Sequence, residues 1–412
     1  MSMRFGVNYT PSAGWFHSWL DFRADAARRD FEGIAALGVD HVRVFPLWGV
    51  VQPNRGLIRR AALDDIGTLI DVAAEFELDV NVDAIQGHLS SFDFLPAWLV
   101  TWHRRNMFTD PEVVEGEEQY VRALGQLLAS RPNVLGLTLG NETNQFAAAP
   151  HPDPHPVTVS QAHAWLERLT AAARESAPGL VTHSMYDAAW YDDTQPFEPA
   201  HAAEHGDATV VHSWVFNGAA QRYGALAPGS VRHAEYLLQL AAAWNPQATR
   251  PVWLQEVGAP TNVVPAAEAP DFLEATVRAA SAVQNLWGIT WWCSHDVSRE
   301  LADFPELEYD LGLIANDGAV KQTGRRFAEL VAELRRTAAA APTPTAIVLD
   351  DAAPGYRARC APGGEFFERW LRVATAEGRG PQVILATRAG DAASLAARGI
   401  TTLIAGDAVP AA

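Results

Sequence analysis

The chain has 412 residues, with 31 Lys+Arg against 49 Asp+Glu (net charge −18), two cysteines and 14 tryptophans. A surface this acidic repels phosphate backbones and argues against nucleic-acid partners, and Cys293 and Cys360 are too few for the disulfide framework of a small secreted scaffold. The opening MSMRFGVNYT lacks a basic region followed by an apolar run, and no stretch reaches the ~18 uninterrupted apolar residues of a membrane span, so the expectation is a cytoplasmic protein with no membrane partner.

In chain order, β-rich runs fall at residues 3–9, 41–48, 78–85, 134–142, 180–187, 209–216, 251–258 and 288–296. Segments with helical spacing lie at 24–37, 61–76, 117–129, 160–176, 231–244, 270–286 and 322–338. The clearest is 117–129, where Tyr120, Val121, Leu124, Leu127 and Leu128 recur at i, i+1, i+4, i+7 and i+8. Asp110 followed by Pro111 is a cap-then-proline helix start. Eight strands alternating with helices predict an α/β protein, a (β/α)8 TIM barrel spanning residues 1–340. The competing fold, a doubly wound sheet, usually carries a glycine-rich first turn, and NYTPSAGWFHSWLD contains no G-x-G-x-x-G. TAAAAPTPTA (337–346) reads as a linker. Residues 341–412 then give a β-α-β-α-β pattern, marginal alone. That small C-terminal domain is expected to pack on the barrel or on another subunit, which makes it the candidate surface for a homo-oligomer.

Barrel strand ends share one face, and function collects there. The ends here are Asn8-Tyr9, Arg43, Trp48, Asp83, Asn141-Glu142, Tyr186-Asp187, His212, Trp214, Glu256, Trp291-Trp292 and His295-Asp296. Glu142 and Glu256 stand out, because buried strands rarely finish in a carboxylate unless it is paired or used. On strands four and seven they face each other across the mouth. Glycosidic cleavage needs such a pair: one carboxyl protonates the leaving oxygen and the other attacks the anomeric carbon or activates water. The competing reading makes each a salt-bridged structural residue.

This ordered set resembles the clan A glycoside hydrolases, and within them family 5, over residues 3–335. The resemblance implies a retaining barrel with Asn141-Glu142 as the acid/base pair, Glu256 as nucleophile and Arg43 supporting it. The family's His-x-Tyr matches His212-Ser213-Trp214, with Trp in the tyrosine's place, which leaves Tyr9 or Tyr186 to hydrogen-bond the nucleophile. Its sugar-floor tryptophan matches Trp291 or Trp292, and strand alternation allows only one of them to line the pocket. In the implied double displacement Glu256 forms a glycosyl-enzyme, Glu142 donates and then recovers a proton, and Asn141 holds the sugar 2-hydroxyl. No cofactor or metal is implied. GVNYTPS and WWCSHD look most like bacterial family 5 β-mannosidases and mannanases, implying exo-β-mannosidase action on a small oligosaccharide of the Man-β-1,4-GlcNAc type. β-Glucosidase, β-galactosidase and endo-mannanase action are the alternatives on the same scaffold.

Other residues carry competing readings. His88, Asp83, His295 and Asp296 either touch sugar hydroxyls or serve the framework. His151-Pro-Asp-Pro-His155-Pro either shapes the pocket rim or forms a rigid turn. His201-Ala-Ala-Glu-His205 fits H-x-x-E-H and would make the protein a zinc-dependent hydrolase. A non-catalytic carbohydrate-binding barrel is the other alternative. Nine tryptophans (Trp15, Trp19, Trp48, Trp98, Trp102, Trp190, Trp214, Trp291 and Trp292) fall at strand ends or loops of the expected active face. Aromatic faces stack on sugar C–H faces, so this clustering fits a carbohydrate site.

Overall fold

The computed structural model describes residues 3–86, 88–102, 104–337 and 341–405. All eight expected barrel strands form: β1 Arg4–Asn8, β2 His41–Val44, β3 Asp79–Gln86, β4 Val134–Asn141, β5 Leu180–Thr182, β6 Thr209–Ser213, β7 Val252–Val257 and β8 Leu286–Trp291. They pair in the order β5-β4-β3-β2-β1-β8-β7-β6. Every pairing is parallel. The β1–β8 pairing of first strand with last is what bends an open sheet toward a barrel. The seam lies between β5 and β6. There Asp207 bridges the edge, its N–H donating to the Val181 carbonyl and its Oδ2 accepting from the Val181 N–H, both at 2.8 Å. β5 is shorter than the 180–187 run predicts, because residues 183–187 leave the sheet for the active face.

Helices α1 Ala24–Ala36, α2 Arg60–Glu75, α3 Pro111–Leu128, α4 Val159–Arg174, α5 Pro199–Glu204, α6 His233–Trp244, α7 Ala269–Ser281 and α8 Gln322–Leu334 surround the strands. α3 begins where its sequence directs: the Asp110 carboxylate accepts from the N–H groups of Glu112 and Val113, and Pro111 follows. Thr158 and Gln161 make a capping box on α4. Covered on the outside by helices, the strands are buried almost throughout, which is why they read as near-continuous apolar runs. The barrel interior is partly polar, and one glycine makes that possible. A Cβ at Gly6 would lie 2.3 Å from the His41 ring, which is buried and bonds Thr290 Oγ1 at 2.9 Å.

The C-terminal unit has three parallel strands, β9 Thr345–Leu349, β10 Gln382–Leu385 and β11 Thr402–Ile404, in the order β10-β9-β11. It packs on its own barrel. Trp370 and Phe367, from helix Glu365–Glu377, stand edge-on to Tyr236 of α6 with ring centroids 5.1 and 4.7 Å away. α6 is therefore buried on both sides, which explains a helix apolar nearly all round. Part of the expected linker, 338–340, lies outside the described residues. Among the described residues no helix is long and apolar enough to cross a membrane.

Candidate active site

The site is organised by one buried cation. Arg43 projects from β2 with no solvent exposure, and all five of its N–H groups meet an acceptor. Nη1 donates to Glu256 Oε1 at 2.6 Å and to Asn8 Oδ1 at 3.2 Å. Nη2 donates to Asn141 Oδ1 at 2.7 Å and to Asp83 Oδ1 at 3.0 Å, while Nε meets the other Asp83 oxygen. One guanidinium thus ties β1, β3, β4 and β7 together at their functional ends. The planar fork suits this role and an ammonium would not. A buried charge of this kind is tolerated only when it is paired and hydrogen-bonded.

Glu256, on β7, is buried between two donors. Besides Arg43, the indole Nε1 of Trp214 donates to its Oε2 at 3.3 Å. Burial pushes its carboxyl above the ordinary glutamate range, with His212 and Arg43 pulling the other way. Glu142 directly follows β4 in a left-handed backbone conformation, φ 48° and ψ 36°. For a non-glycine residue that geometry costs on the order of 1–3 kcal/mol and persists where surrounding structure imposes it. The turn aims the carboxyl into the mouth, where Oε1 accepts from His212 Nδ1 at 2.6 Å and Oε2 from Gln145 Nε2 at 2.6 Å.

His212 stands between the two carboxylates, its Nδ1 also 3.4 Å from Glu256 Oε2. Its Nε2 faces Gln255 Oε1 at 3.3 Å, an orientation fixed by the Gln255 amide nitrogen donating to Thr138 at 3.1 Å. Both ring nitrogens therefore point at acceptors. Burial lowers the His212 pKa, but Glu256 and Glu142 more than offset it, and the net shift is upward. Glu142, His212 and Glu256 offer ligand atoms within 4.8 Å of one another, the one such group among the described residues. Arg43 already neutralises Glu256, and His212 presents an N–H to Glu142, so the trio suits protons and a sugar better than a cation.

A cavity of about 160 Å³ opens above this pair. His88, Asn141, Glu142, Gln145, Tyr186, Trp214, Glu256 and Trp292 line it. A second cavity of about 220 Å³ shares His88, Gln145 and Tyr186 with it and extends to Asp93, Pro150, His151 and Gln195. Asp93 bridges His88 Nδ1 at 3.3 Å and His151 Nε2 at 3.1 Å. Burial works against the Asp93 charge, yet the two histidines bring its pKa down, and His88 rises in return against its own burial. His151 thus belongs to the rim, while His155 is a framework residue that accepts from the Met107 N–H at 3.0 Å.

The structure moves several expected residues away from the cavity. Tyr9 gives its hydroxyl to Asp30 at 2.8 Å, and Tyr186 lines the cavity without a bond to Glu256. Trp214 itself donates where a tyrosine was expected, because an indole N–H reaches as a phenol does. Trp292 lines the cavity; Trp291 points outward onto Phe327, as strand alternation requires. Trp48 is fully buried and donates to Gln52 at 2.8 Å. Asp83 is spent on Arg43 and does not face a sugar. His295 lies against Ser294 and Asp30, and Asp296 pairs with Lys321 at 2.7 Å. Asn141 turns its amide nitrogen to the His88 carbonyl at 2.9 Å while remaining at the cavity wall. Of the nine tryptophans, only Trp214 and Trp292 line this cavity; Trp15, Trp48, Trp190 and Trp291 are packing residues, and Trp102 is fully exposed.

The His201–His205 pair does not form a metal centre. Its rings are 6.4 Å apart, His201 Nδ1 accepts from the Glu198 N–H, and His205 bonds His163 at 3.1 Å. Sequence reading missed Gln145, Gln255 and the pair Ser90 and Glu308. Gln255 was not recoverable, since alternation from Glu256 turns it outward and only a bulge on β7, opposite Val211 and His212, brings both side chains inside; the other three sit on irregular loops with no periodic signal.

A scan against protein-family models finds no match, and a search of curated proteins finds none. Solved structures match closely. A GH5_18 protein from Streptomyces cattleya, a glutamate-to-alanine variant in complex with Manβ1-4GlcNAc, is 57% identical, with 98% of this chain and 99% of that chain covered and a TM-score of 0.96. A GH5_18 variant from Bifidobacterium longum subsp. longum, also with Manβ1-4GlcNAc, is 44% identical over 98% and 96% of the two chains, TM-score 0.94. The exo-β-1,4-mannosidase Op5Man5 from Opitutaceae bacterium strain TAV5 is 25% identical over 93% and 69%, TM-score 0.76.

Proposed function

The chain belongs to the GH5_18 glycoside hydrolases, and from that premise we propose that it is a retaining exo-β-mannosidase acting on short oligosaccharides of the Manβ1-4GlcNAc type. The observation that carries the mechanism is the carboxylate pair: Glu142 and Glu256 bring oxygens within 4.8 Å of each other. That spacing suits the ~5–5.5 Å of retaining enzymes and is too short for the water an inverting enzyme must fit between them at ~6.5–9.5 Å. The sugar identity rests on what the Streptomyces and Bifidobacterium relatives bind.

In this reading Glu256, oriented by Arg43 and Trp214, attacks the anomeric carbon. Glu142 delivers its proton to the glycosidic oxygen, and the bond to the leaving sugar breaks. Glu142 then takes a proton from water, which attacks the anomeric carbon and releases Glu256. His212 and Gln145 hold the two Glu142 oxygens in place through both half-reactions. Trp292 supplies an apolar floor for a sugar face. The second cavity, with His88, His151 and Gln195, receives the departing sugar. The barrel carries the chemistry, and the described part of the C-terminal unit, residues 341–405, buttresses it.

Incubation with Manβ1-4GlcNAc and with a panel of p-nitrophenyl β-glycosides tests the proposal. The expected result is release of mannose and GlcNAc, with β-mannose as the first anomer seen by NMR. Cleavage of no β-mannoside would overturn the sugar assignment, and α-mannose as first product would overturn the retaining mechanism.

A further inference from the structure

The catalytic cavity holds a third acid that the double displacement does not use. Glu308 sits in the short 3-10 turn Glu306–Asp310, downstream of β8, and lines the same cavity as Glu142, Glu256 and Trp292. Its Oε2 accepts from Ser90 Oγ at 2.8 Å. Ser90 lies at the turn of the hairpin formed by His88–Leu89 and Phe92–Asp93, where Ser90 and Ser91 both take positive φ, 50° and 72°. This bond joins the loops that follow β3 and β8, two segments separated by 218 positions in the chain.

Position within the cavity says what the acid faces. Gln145, which bonds Glu142, also lines the second cavity, so that cavity lies on the side where a leaving group takes its proton. Glu308 lines the first cavity and not the second, and the charged groups it feels are Glu256 and His88, the latter lining both cavities. It therefore stands on the wall of the catalytic cavity near Glu256 and beside the His88 hairpin. A pyranose with its anomeric carbon at Glu256 presents its 3-, 4- and 6-hydroxyls to the remaining walls of this cavity, of which Glu308 is one. Burial pushes the Glu308 carboxyl up to about 7, opposed by the Ser90 hydroxyl and reinforced by Glu256. At neutral pH the group both donates and accepts hydrogen bonds, as paired sugar hydroxyls require.

We propose that Glu308, held by Ser90, recognises the 3-, 4- or 6-hydroxyls of the sugar in the catalytic pocket. The proposal rests on the glycosidase reading above, and it adds the group that reads the glycone. The test pairs enzyme variants with deoxygenated substrates. Wild type, Glu308→Ala and Glu308→Gln are assayed on p-nitrophenyl β-mannoside and on its 3-, 4- and 6-deoxy analogues, with thermal unfolding of each variant as the folding control. Glu308→Ala is expected to lower kcat/KM on the parent glycoside by about 10- to 100-fold. On at least one deoxy analogue the same substitution costs less than about threefold, because the partner hydroxyl is already gone. Glu308→Gln, which keeps the shape and one donor, recovers part of the loss. Equal losses on all four substrates, or no loss on any, overturn the proposal, since a framework residue has no preference among hydroxyls. If the wild type cleaves another β-glycoside and no mannoside, the mannosidase reading falls alone, and that sugar's deoxy series decides Glu308.

Discussion

Among the described residues four arginines are buried, Arg43, Arg357, Arg369 and Arg398, and the first two are satisfied by opposite means. Arg43 meets side chains, two of them carboxylates, Asp83 and Glu256. Arg357, in the C-terminal unit, meets backbone: its Nη atoms donate to the carbonyls of Asp193 at 2.9 Å, Gln195 at 3.0 Å and Phe197 at 3.2 Å. Around Arg43 charge is balanced beside a cavity whose charge state changes in the proposed double displacement. Around Arg357 neutral carbonyls of a loop are pinned, the carboxylates of Glu198 and Asp193 stand beyond hydrogen-bond reach of the guanidinium at 3.8 and 3.9 Å, and none of these groups lines the catalytic cavity. A buried arginine therefore marks a site only when its partners are themselves reactive. Arg357 fixes the loop between β5 and α5 and, with Trp370, docks the C-terminal unit.

If this contrast is sound, substitutions in the first region change chemistry and those in the second change stability alone. The largest effect is expected at Glu256→Ala, which should lower kcat by roughly 10⁴-fold or more. Its urea midpoint should hold or rise, because a carboxyl held against burial is removed. Retention of near-normal turnover would sink the nucleophile assignment. Arg43→Ala comes next: it leaves Asp83 and Glu256 buried without a counter-charge, at about 3–5 kcal/mol by denaturant titration, and activity falls with it. Arg43→Lys separates the two losses by keeping charge while giving up the fork.

Arg357→Ala should cost about 1–3 kcal/mol for the carbonyls left unpaired, yet leave kcat/KM of the folded enzyme within about twofold. A large kinetic effect there would erase the distinction between the two regions. The smallest effect is a displaced pH limb. Attack requires ionised Glu256, whose pKa lies above the ordinary glutamate value. As pH falls, kcat/KM should therefore decline at a higher pH than an exposed glutamate would give, and the limb should move up again in Trp214→Phe, which loses a donor to the carboxylate. A limb unmoved by Trp214→Phe would mean the indole N–H contributes nothing to the charge.

Much of this was legible beforehand. Strand and helix periods located all eight barrel strands and the C-terminal β-α-β-α-β unit, because parallel strands under helices must be apolar throughout and amphipathic helices must present a stripe. Carboxylates ending two such strands were visible as violations of that rule, while Arg43 and His212 were singled out by the family resemblance. Other assignments failed for a common reason. Tyr9, Trp48, His295 and Asp296 end strands on the correct face, but the end of a strand fixes only a position; the partner that absorbs the side chain comes from elsewhere, as Asp30 does for Tyr9 and Lys321 for Asp296. The tryptophan clustering was over-read likewise, since loops on an active face need their own packing.

The sequence by itself determined the barrel, the carboxylate pair and their order along the chain, because periodicity and the cost of burying charge act locally on each strand. Only the tertiary structure decided which groups converge on that pair. Gln145 at Glu142 and Ser90 against Glu308 are meetings of irregular segments, and Trp214 reaches Glu256 of β7 from the segment that follows β6. Their geometry is set by loop closure and packing across the barrel mouth, and no periodicity in the chain encodes it.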